Sequence, residues 1–220
     1  MKEEVKNFLQ GALAAAGAGG AYGLSRVAAQ QYRKKGQEET GTAFVKPDQE
    51  NILNQYTQTT GQAAPKITTN VSPTGVSYSQ GNTVSLNFPS ASKFTLGHEL
   101  GHQSISKGQD AFRWIQENTY LGLNPNVIGL ASVGIGAMVP SMRRATSMAL
   151  GINYLNHSGR ILSEAEASRR GTKLLNQAGY PVSPVPGLYQ TASYAAAPAA
   201  AALGGIAAGR FLKSFKEALK

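Results

Sequence analysis

The sequence predicts an α+β protein in which a small antiparallel sheet packs on helices, with alanine- and glycine-rich helices at both ends. Apolar and polar residues alternate between residues 67 and 88, which predicts short strands joined by turns. The motif His-Glu-Leu-Gly-His at residues 98–102 follows those strands and is typical of a helix. Two charge-free stretches, residues 7–25 and 177–209, are long enough for helices at the two ends of the chain.

The composition of the chain limits which cofactors and macromolecular partners we expect. The chain has 220 residues and no cysteine, so disulfides and cysteine-ligated metals are excluded. Its formal net charge of +9 would suit nucleic acid or anionic lipid. The basic residues are dispersed, however, and no nucleic-acid-binding motif accompanies them, so we expect no nucleic-acid partner.

Residues 1–36 are predicted to form an Ala/Gly-rich helix with a basic flank. Small residues recur at every fourth position, as in helices that pack closely within membranes. A second such ridge lies in the C-terminal region, residues 181–220, which ends in a basic tail. Membrane lipid is therefore an expected partner, and the alternative is an alanine-rich helix buried in an oligomer or larger assembly. The two ridges consist of Gly11, Ala15, Gly19 and Gly23, and of Ala197, Ala201, Gly205 and Gly209.

Residues 37–64 are predicted to be a polar linker with a short helix over residues 47–58, and residues 65–180 the functional domain. Strands around residues 67–71, 76–78 and 84–88 would form an antiparallel meander with one buried face, broken by turns at residues 72–75 and 81–82. The strand around residues 83–88 is expected to lie at the outside, where an extended substrate can pair with it.

An apolar insert, residues 121–155, interrupts this domain. A helix is expected just before it, over residues 111–120. Within the insert, residues 127–139 are apolar without a break, but 13 residues suit a buried or re-entrant helix better than a full membrane crossing. Residues 142–155 are expected to form its antiparallel partner.

His98 and His102 are predicted to bind one metal ion, because residues four apart lie on the same face of a helix. Glu99 points away from that pair, where it can polarise a water molecule activated by the metal. This HExxH arrangement is typical of zinc peptidases, or zincins, and makes peptide-bond hydrolysis with Zn²⁺ the leading hypothesis. Catalytic zinc usually takes three protein ligands and leaves one position for water, so a third ligand is required.

Two glutamates are candidates for the third ligand. Glu164 and Glu166 are the only acidic residues between Glu117 and Glu217. A purely structural explanation exists, since Ser163 and Glu166 have the spacing of a capping box at a helix start. His157, the remaining histidine, is a rival ligand, although its position beside Ser158-Gly159 is typical of a surface turn.

HELGH followed by Glu164-x-x-Ala167-Ser168-Arg169-Arg170 resembles the YugP-like neutral zinc metallopeptidases and the HtpX and CAAX prenyl protease group. The resemblance covers about a third of the chain, namely the strand before the helix, HELGH and residues 164–179. It implies a membrane zincin of the gluzincin type, in which Glu164 is the third zinc ligand. Ser168 stands where HtpX-like enzymes carry an aspartate that orients a ligand histidine, so Ser168 is a candidate for that supporting role.

The predicted function is thus a membrane-associated zinc endopeptidase acting on a protein or peptide substrate. His98 and Glu164 must meet at one ion, so the chain between them crosses the membrane an even number of times or not at all. Basic residues after the first segment place the zinc domain on the cytoplasmic side, although the basic C-terminal tail opposes a single C-terminal crossing. The rival hypothesis is a structural or membrane-penetrating assembly protein, for example of a virus particle, that retains a zincin-like fold.

Overall fold

Helices dominate the part of the chain that the computed structural model describes, residues 3–71, 77–107, 111–118 and 125–219. The turn predicted at residues 72–75, the start of the strand predicted at 76–78 and the end of the helix predicted at 111–120 lie outside these residues. The elements in chain order are α1 (Glu3–Thr40), α2 (Lys46–Thr60), β1 (Lys66–Asn70), β2 (Tyr78–Gln80), β3 (Thr83–Asn87), α3 (Lys93–Lys107), α4 (Ala111–Glu117), α5 (Pro125–Met138), α6 (Met142–Gln177) and α7 (Val185–Ala218).

The α+β class is confirmed in this general sense, but the sheet is mixed and the antiparallel prediction is wrong. The strand order is β1-β3-β2. β2 and β3 form an antiparallel hairpin around Gly81, whereas β1 pairs with the other edge of β3 in parallel, with Ile67 opposite Val84. Alternation of apolar residues shows which face of a strand is buried, but it does not fix the neighbour or the direction.

Two further predictions about β3, that one of its faces is exposed and that it lies at the outside of the sheet, are wrong because β3 is the central strand. Both of its faces are covered, so Ser85 and Asn87 are buried along with Val84 and Leu86. Asn70 donates a hydrogen bond from its amide to Ser85 Oγ, which satisfies part of this buried polar face. Because β3 is paired on both sides, it cannot be the outer strand that accepts a substrate.

Two helices run further than the sequence indicates. α1 continues through Gly36 to Thr40, and Gly41 follows it with a φ of 69°, a left-handed conformation that favours glycine. α6 continues through residues 155–163 without interruption, so Ser163 is not an N-cap and Ser158-Gly159 is not a turn. No proline interrupts α6, and one helical glycine costs only about 1 kcal/mol, which packing readily offsets.

The chain divides into two compact units, to both of which α1, α6 and α7 contribute. The first, here called the bundle unit, comprises Met1–Val27, Thr119–Arg160 and Ser193–Lys220. The second, the sheet unit, comprises Ala28–Asn118 and Ile161–Ala192. The core of the sheet unit is built from aromatic and aliphatic side chains, including Tyr32, Ile52, Leu86, Phe94, Leu100 and Leu175.

The core of the bundle unit is built from small side chains. Ala14, Ala149, Ala202, Ile206 and Ala207 form its buried centre. Small residues also allow close approach of two helices, since Cβ atoms built on Gly205 and Gly209 of α7 would collide with Ser132 and Val133 of α5. The C-terminal half of the second small-residue ridge therefore serves contacts within the chain.

Candidate metal centre

The candidate site forms where α3 and α6 cross in the sheet unit with almost no side chain between their backbones. A Cβ built on Gly101 would collide with the backbone of Ala167. One built on Gly171 would lie 2.7 Å from the backbone nitrogen of His98. Glycine at these positions lets the two helices touch, and this contact brings residue 164 of α6 opposite the HELGH turn of α3.

His98, His102 and Glu164 converge at this crossing. Glu164 Oε2 lies 3.2 Å from His98 Nε2 and 3.5 Å from His102 Nε2. One ligand atom from each residue lies within 4.8 Å of the other two. His98 and Glu164 are buried and His102 is half-buried, so the cluster is open on the His102 side.

This donor set fits a tetrahedral metal ion. Ligand atoms held about 2.0–2.1 Å from one zinc ion at tetrahedral angles lie roughly 3.3–3.4 Å apart, which matches the two measured separations. Two imidazoles and one carboxylate are also ligands that zinc commonly takes in catalytic sites. The group can therefore hold a metal ion, as the HExxH spacing predicts.

Hydrogen bonds to the far side of each imidazole orient both rings. His98 Nδ1 lies 3.0 Å from Ser168 Oγ, and His102 Nδ1 lies 3.0 Å from Gln116 Oε1. With a metal bound and the ring proton on Nδ1, each histidine would donate to its partner and present an unprotonated Nε2 to the metal. Gln116 also donates from its amide to the His102 carbonyl oxygen, so it contacts that residue twice.

Gln116 is a site residue that the sequence analysis missed. It lies on α4, a helix of seven residues, and contacts α3 across a connection that includes residues 108–110. No spacing rule links a glutamine to a histidine 14 positions earlier, so the sequence carries no signal for this contact. Ser168, by contrast, stands at the position that the motif resemblance singled out.

Glu99 is buried beside the three converging residues. No described residue donates a hydrogen bond to its carboxylate, which leaves that group available to a bound water molecule. Burial raises the pKa of Glu99, while the charges of His98 and His102 oppose that rise. A carboxyl group with a raised pKa is suited to accept and return a proton near neutral pH.

The carboxylate of Glu164 and the ring of His102 stabilise each other's charge. Burial by itself raises the pKa of Glu164, but hydrogen bonds from His102 and His98 outweigh it and hold that pKa well below its usual range. Burial by itself lowers the pKa of His102, but Glu164 outweighs it and raises that pKa to about 9. Without a metal, the pair is therefore an ionised carboxylate and an imidazolium at neutral pH.

The other two candidate ligands are engaged elsewhere. Arg169 donates two hydrogen bonds to the Glu166 carboxylate, and Arg170 Nε donates a third, each at 2.7 Å. The bond from Arg169 lowers the pKa of Glu166. His157 lies in the bundle unit, with its Nδ1 2.9 Å from the carbonyl oxygen of Asn153 in the preceding helical turn. Neither residue belongs to the converging group.

Comparison of the chain with protein-family models, with curated proteins and with solved structures finds no match in any of the three. The resemblance to gluzincin-type peptidases therefore rests on the HELGH and Glu-x-x-Ala-Ser-Arg-Arg motifs and on the geometry of the residues they contain.

Removal of the side chains that hydrogen-bond to Nδ1 of His98 and His102 should weaken metal binding. We expect Ser168→Ala and Gln116→Ala each to lower zinc affinity by about 10–100-fold, because the Nδ1 partner fixes the tautomer and the orientation of a ligand histidine. Competition titration against a chromophoric chelator measures this change. Thr191→Ala, which removes another hydroxyl of the sheet unit, is the control and should leave the affinity unchanged; equal affinities for all variants would contradict the assigned role.

Metal binding should displace a proton from His102. Below a pKa of about 9 the metal-free ring is protonated, so it must release one proton to expose Nε2 to a metal. The apparent zinc affinity should therefore rise about tenfold per pH unit between pH 7 and 9 and then level off. Calorimetry at pH 7 in buffers with different ionisation enthalpies measures the proton count. Release of no proton would contradict the His102–Glu164 ion pair.

Proposed function

We propose that the chain is a zinc-dependent endopeptidase that works at a membrane, with His98, His102 and Glu164 as the metal ligands and Glu99 as the general base. The observation that carries this proposal is the convergence of two histidine Nε2 atoms on one glutamate oxygen, beside a buried carboxylate that no described residue engages. Zinc bound there would supply Lewis-acid activation of a water molecule, lowering its pKa to about 7.

The residues around the ligands would carry the proton transfers. Glu99 takes the proton of the attacking water and later delivers it to the leaving amine, which its burial-raised pKa favours. Ser168 and Gln116 keep both imidazoles in the tautomer that binds through Nε2. The half-buried face of His102 is the side from which a peptide can reach the site.

An extended substrate would add to β2 instead of β3. β2 is an edge strand of the described sheet, so one side of its backbone is available for pairing. α3 lies against β2 and β3, and Gln103, the residue after His102, donates a hydrogen bond to Ser79 Oγ in β2 at 2.6 Å. A peptide paired to β2 would thus run close to the metal ligands, and backbone pairing would give modest sequence preference.

The membrane setting rests first on α7. This helix is long and apolar enough to cross a bilayer, by length and composition. The rival function, a structural or membrane-penetrating assembly protein with a zincin-like site, would share both the helix and the metal. It differs in having no hydrolytic activity, so activity separates the two.

Cleavage of casein by the purified full-length chain tests the proposal. We expect zinc at about one ion per chain, cleavage that stops when a chelator removes the metal, and recovery when zinc is added back. One zinc ion per chain without cleavage of casein or of a peptide library would refute the peptidase and favour the assembly protein. Cleavage that persists in the metal-free chain would refute the metal mechanism.

A further inference from the structure

The exposed side of the bundle unit has the composition of a surface in contact with lipid. The chain exposes 24 large apolar side chains in its described part, and 16 of them belong to the bundle unit. A soluble domain scatters such residues among charged ones, whereas a contiguous apolar surface marks contact with a membrane or another protein.

Charged residues are absent from four helical segments of the unit, here called the charge-free segments: residues 7–25, 125–138, 145–159 and 193–209. Their described exposed positions carry Ala, Gly, Val, Leu, Met, Phe or Tyr, with Ser147 as the single exception. Asn7, Ser132, Asn153 and Asn156 of these segments are instead buried. Asn153, for example, donates to Ser132 Oγ and to the carbonyl oxygen of Ala149 inside the bundle. This inverted distribution is expected of helices whose outer face meets hydrocarbon.

Charged residues lie together at one end of the bundle unit. Arg210 is fully buried and donates to Asn7 Oδ1 and to the carbonyl oxygens of Val139 and Pro140. Asn7 in turn donates to Glu217 at 2.8 Å. The start of α1, the end of α5, the start of α6 and the C-terminal part of α7 therefore lie at the same end. The described charged residues in these parts of the chain are Glu3, Glu4, Lys6, Arg143, Arg144, Arg210, Lys213, Lys216 and Glu217.

The opposite end of the bundle unit carries arginine and tyrosine side chains. Ser25 Oγ donates to the carbonyl oxygen of Ser193, and the guanidinium of Arg160 lies 4.6 Å from the ring centre of Tyr194. Arg26 follows the first charge-free segment directly. Arginine and tyrosine are typical of the membrane–water interface. The segments measure about 21–28 Å at roughly 1.5 Å per residue, and flanking basic side chains that reach outwards bring them close to the hydrocarbon thickness of about 30 Å.

We propose that the whole bundle unit is a transmembrane domain in which α1, α5, α6 and α7 each cross the lipid bilayer once, with both chain ends on the same side. Among the described helices, average hydropathy selects only α7, because it counts the buried polar face of each helix and the many alanines and glycines that lie between helices. Two crossings by α5 and α6 return the chain to its starting side, which the meeting of His98 and Glu164 requires. The inference does not depend on zinc chemistry.

Single cysteines test the proposal on a chain that has none of its own. Leu13→Cys and Leu130→Cys alter side chains that are 73% and 71% exposed in the charge-free segments, and Val71→Cys and Phe88→Cys are matched exposed controls in the sheet unit. In vesicles of phosphatidylethanolamine and phosphatidylglycerol, a charged maleimide should label the first pair about tenfold or more slowly than the controls, because hydrocarbon excludes the reagent. Denaturation in detergent should abolish the difference.

Sidedness is tested with the same reagent. Lys6→Cys and Lys213→Cys should react from one side of the vesicle and Lys34→Cys from the other. Labelling of Lys6→Cys and Lys213→Cys from opposite sides would overturn the four crossings. Equal labelling rates at all exposed positions would overturn the lipid contact. Protection of Leu13→Cys in a soluble oligomer without lipid or detergent would also overturn it, because further copies of the chain would then cover this surface.

Discussion

A Glu99→Gln variant is expected to bind zinc as the wild-type chain does and to lose peptide hydrolysis by about 10²–10⁴-fold, the usual contribution of a general base. The amide has the shape of the carboxyl group but cannot accept the proton of the attacking water. Glu99 is not one of the three converging ligands, so its neutralisation leaves the donor set intact. Parallel measurement of zinc content and casein cleavage on the same preparation checks both halves of the expectation.

Glu166→Gln is the matched control for this variant. Glu166 is another buried glutamate of the sheet unit, but its carboxylate is held by Arg169 and Arg170 and does not belong to the converging group. Its neutralisation should lower thermal stability and leave the rate per folded, zinc-loaded molecule within about twofold of wild type. Wild-type activity in Glu99→Gln, or equal losses in both variants, would contradict the role given to Glu99.

A Gly101→Ala variant is expected to lose about 3 kcal/mol or more of folding stability and most of its zinc affinity, since the added methyl group collides with backbone that cannot rotate away. The helix crossing must widen to accept it. α6 carries Glu164 and Ser168, so widening withdraws a ligand and the support of His98 together. Thermal unfolding with and without zinc, combined with chelator competition, measures the two effects.

Gly151→Ala in α6, the helix that Gly101 of α3 contacts, is the control. A Cβ at Gly151 meets no atom within 4 Å, so alanine there should be neutral or stabilise α6 by up to about 1 kcal/mol through its helix propensity. Zinc affinity should not change. If Gly101→Ala kept the melting temperature and the zinc affinity of the wild-type chain, the close contact of α3 and α6 would not be what positions Glu164.

The convergence of His98, His102 and Glu164 could be predicted because part of the geometry is local and few acidic residues compete for the third place. His98 and His102 follow from helical spacing alone. The choice between Glu164 and Glu166 also has a local signal, since Arg169 and Arg170 stand three and four residues after Glu166 and are placed to pair with it on a helix. Residues two apart on a helix point in different directions, so engagement of Glu166 on one side leaves Glu164 to face α3.

The sequence does not show which distant segments of the chain pair or pack against each other. The strand pattern located β3, but the parallel pairing of β1 with β3 depends on the packing of the whole sheet unit. Gln116 contacts His102 from a separate short helix, and no periodicity encodes that contact. Residues 155–163 were divided between two helices because Ser163 and Gly159 have the local marks of a boundary, which packing along α6 overrides.

Zinc stoichiometry in the full-length chain tests the central claim most directly. The wild-type protein should bind one zinc ion per chain, measured by elemental analysis after removal of loosely bound metal. His98→Ala, His102→Ala and Glu164→Ala should each lose that ion under the same wash, whereas Glu166→Gln and His157→Ala should retain it. A folded wild-type chain that binds no zinc, or a Glu164→Ala variant that retains the ion with wild-type affinity, would contradict the three-ligand site.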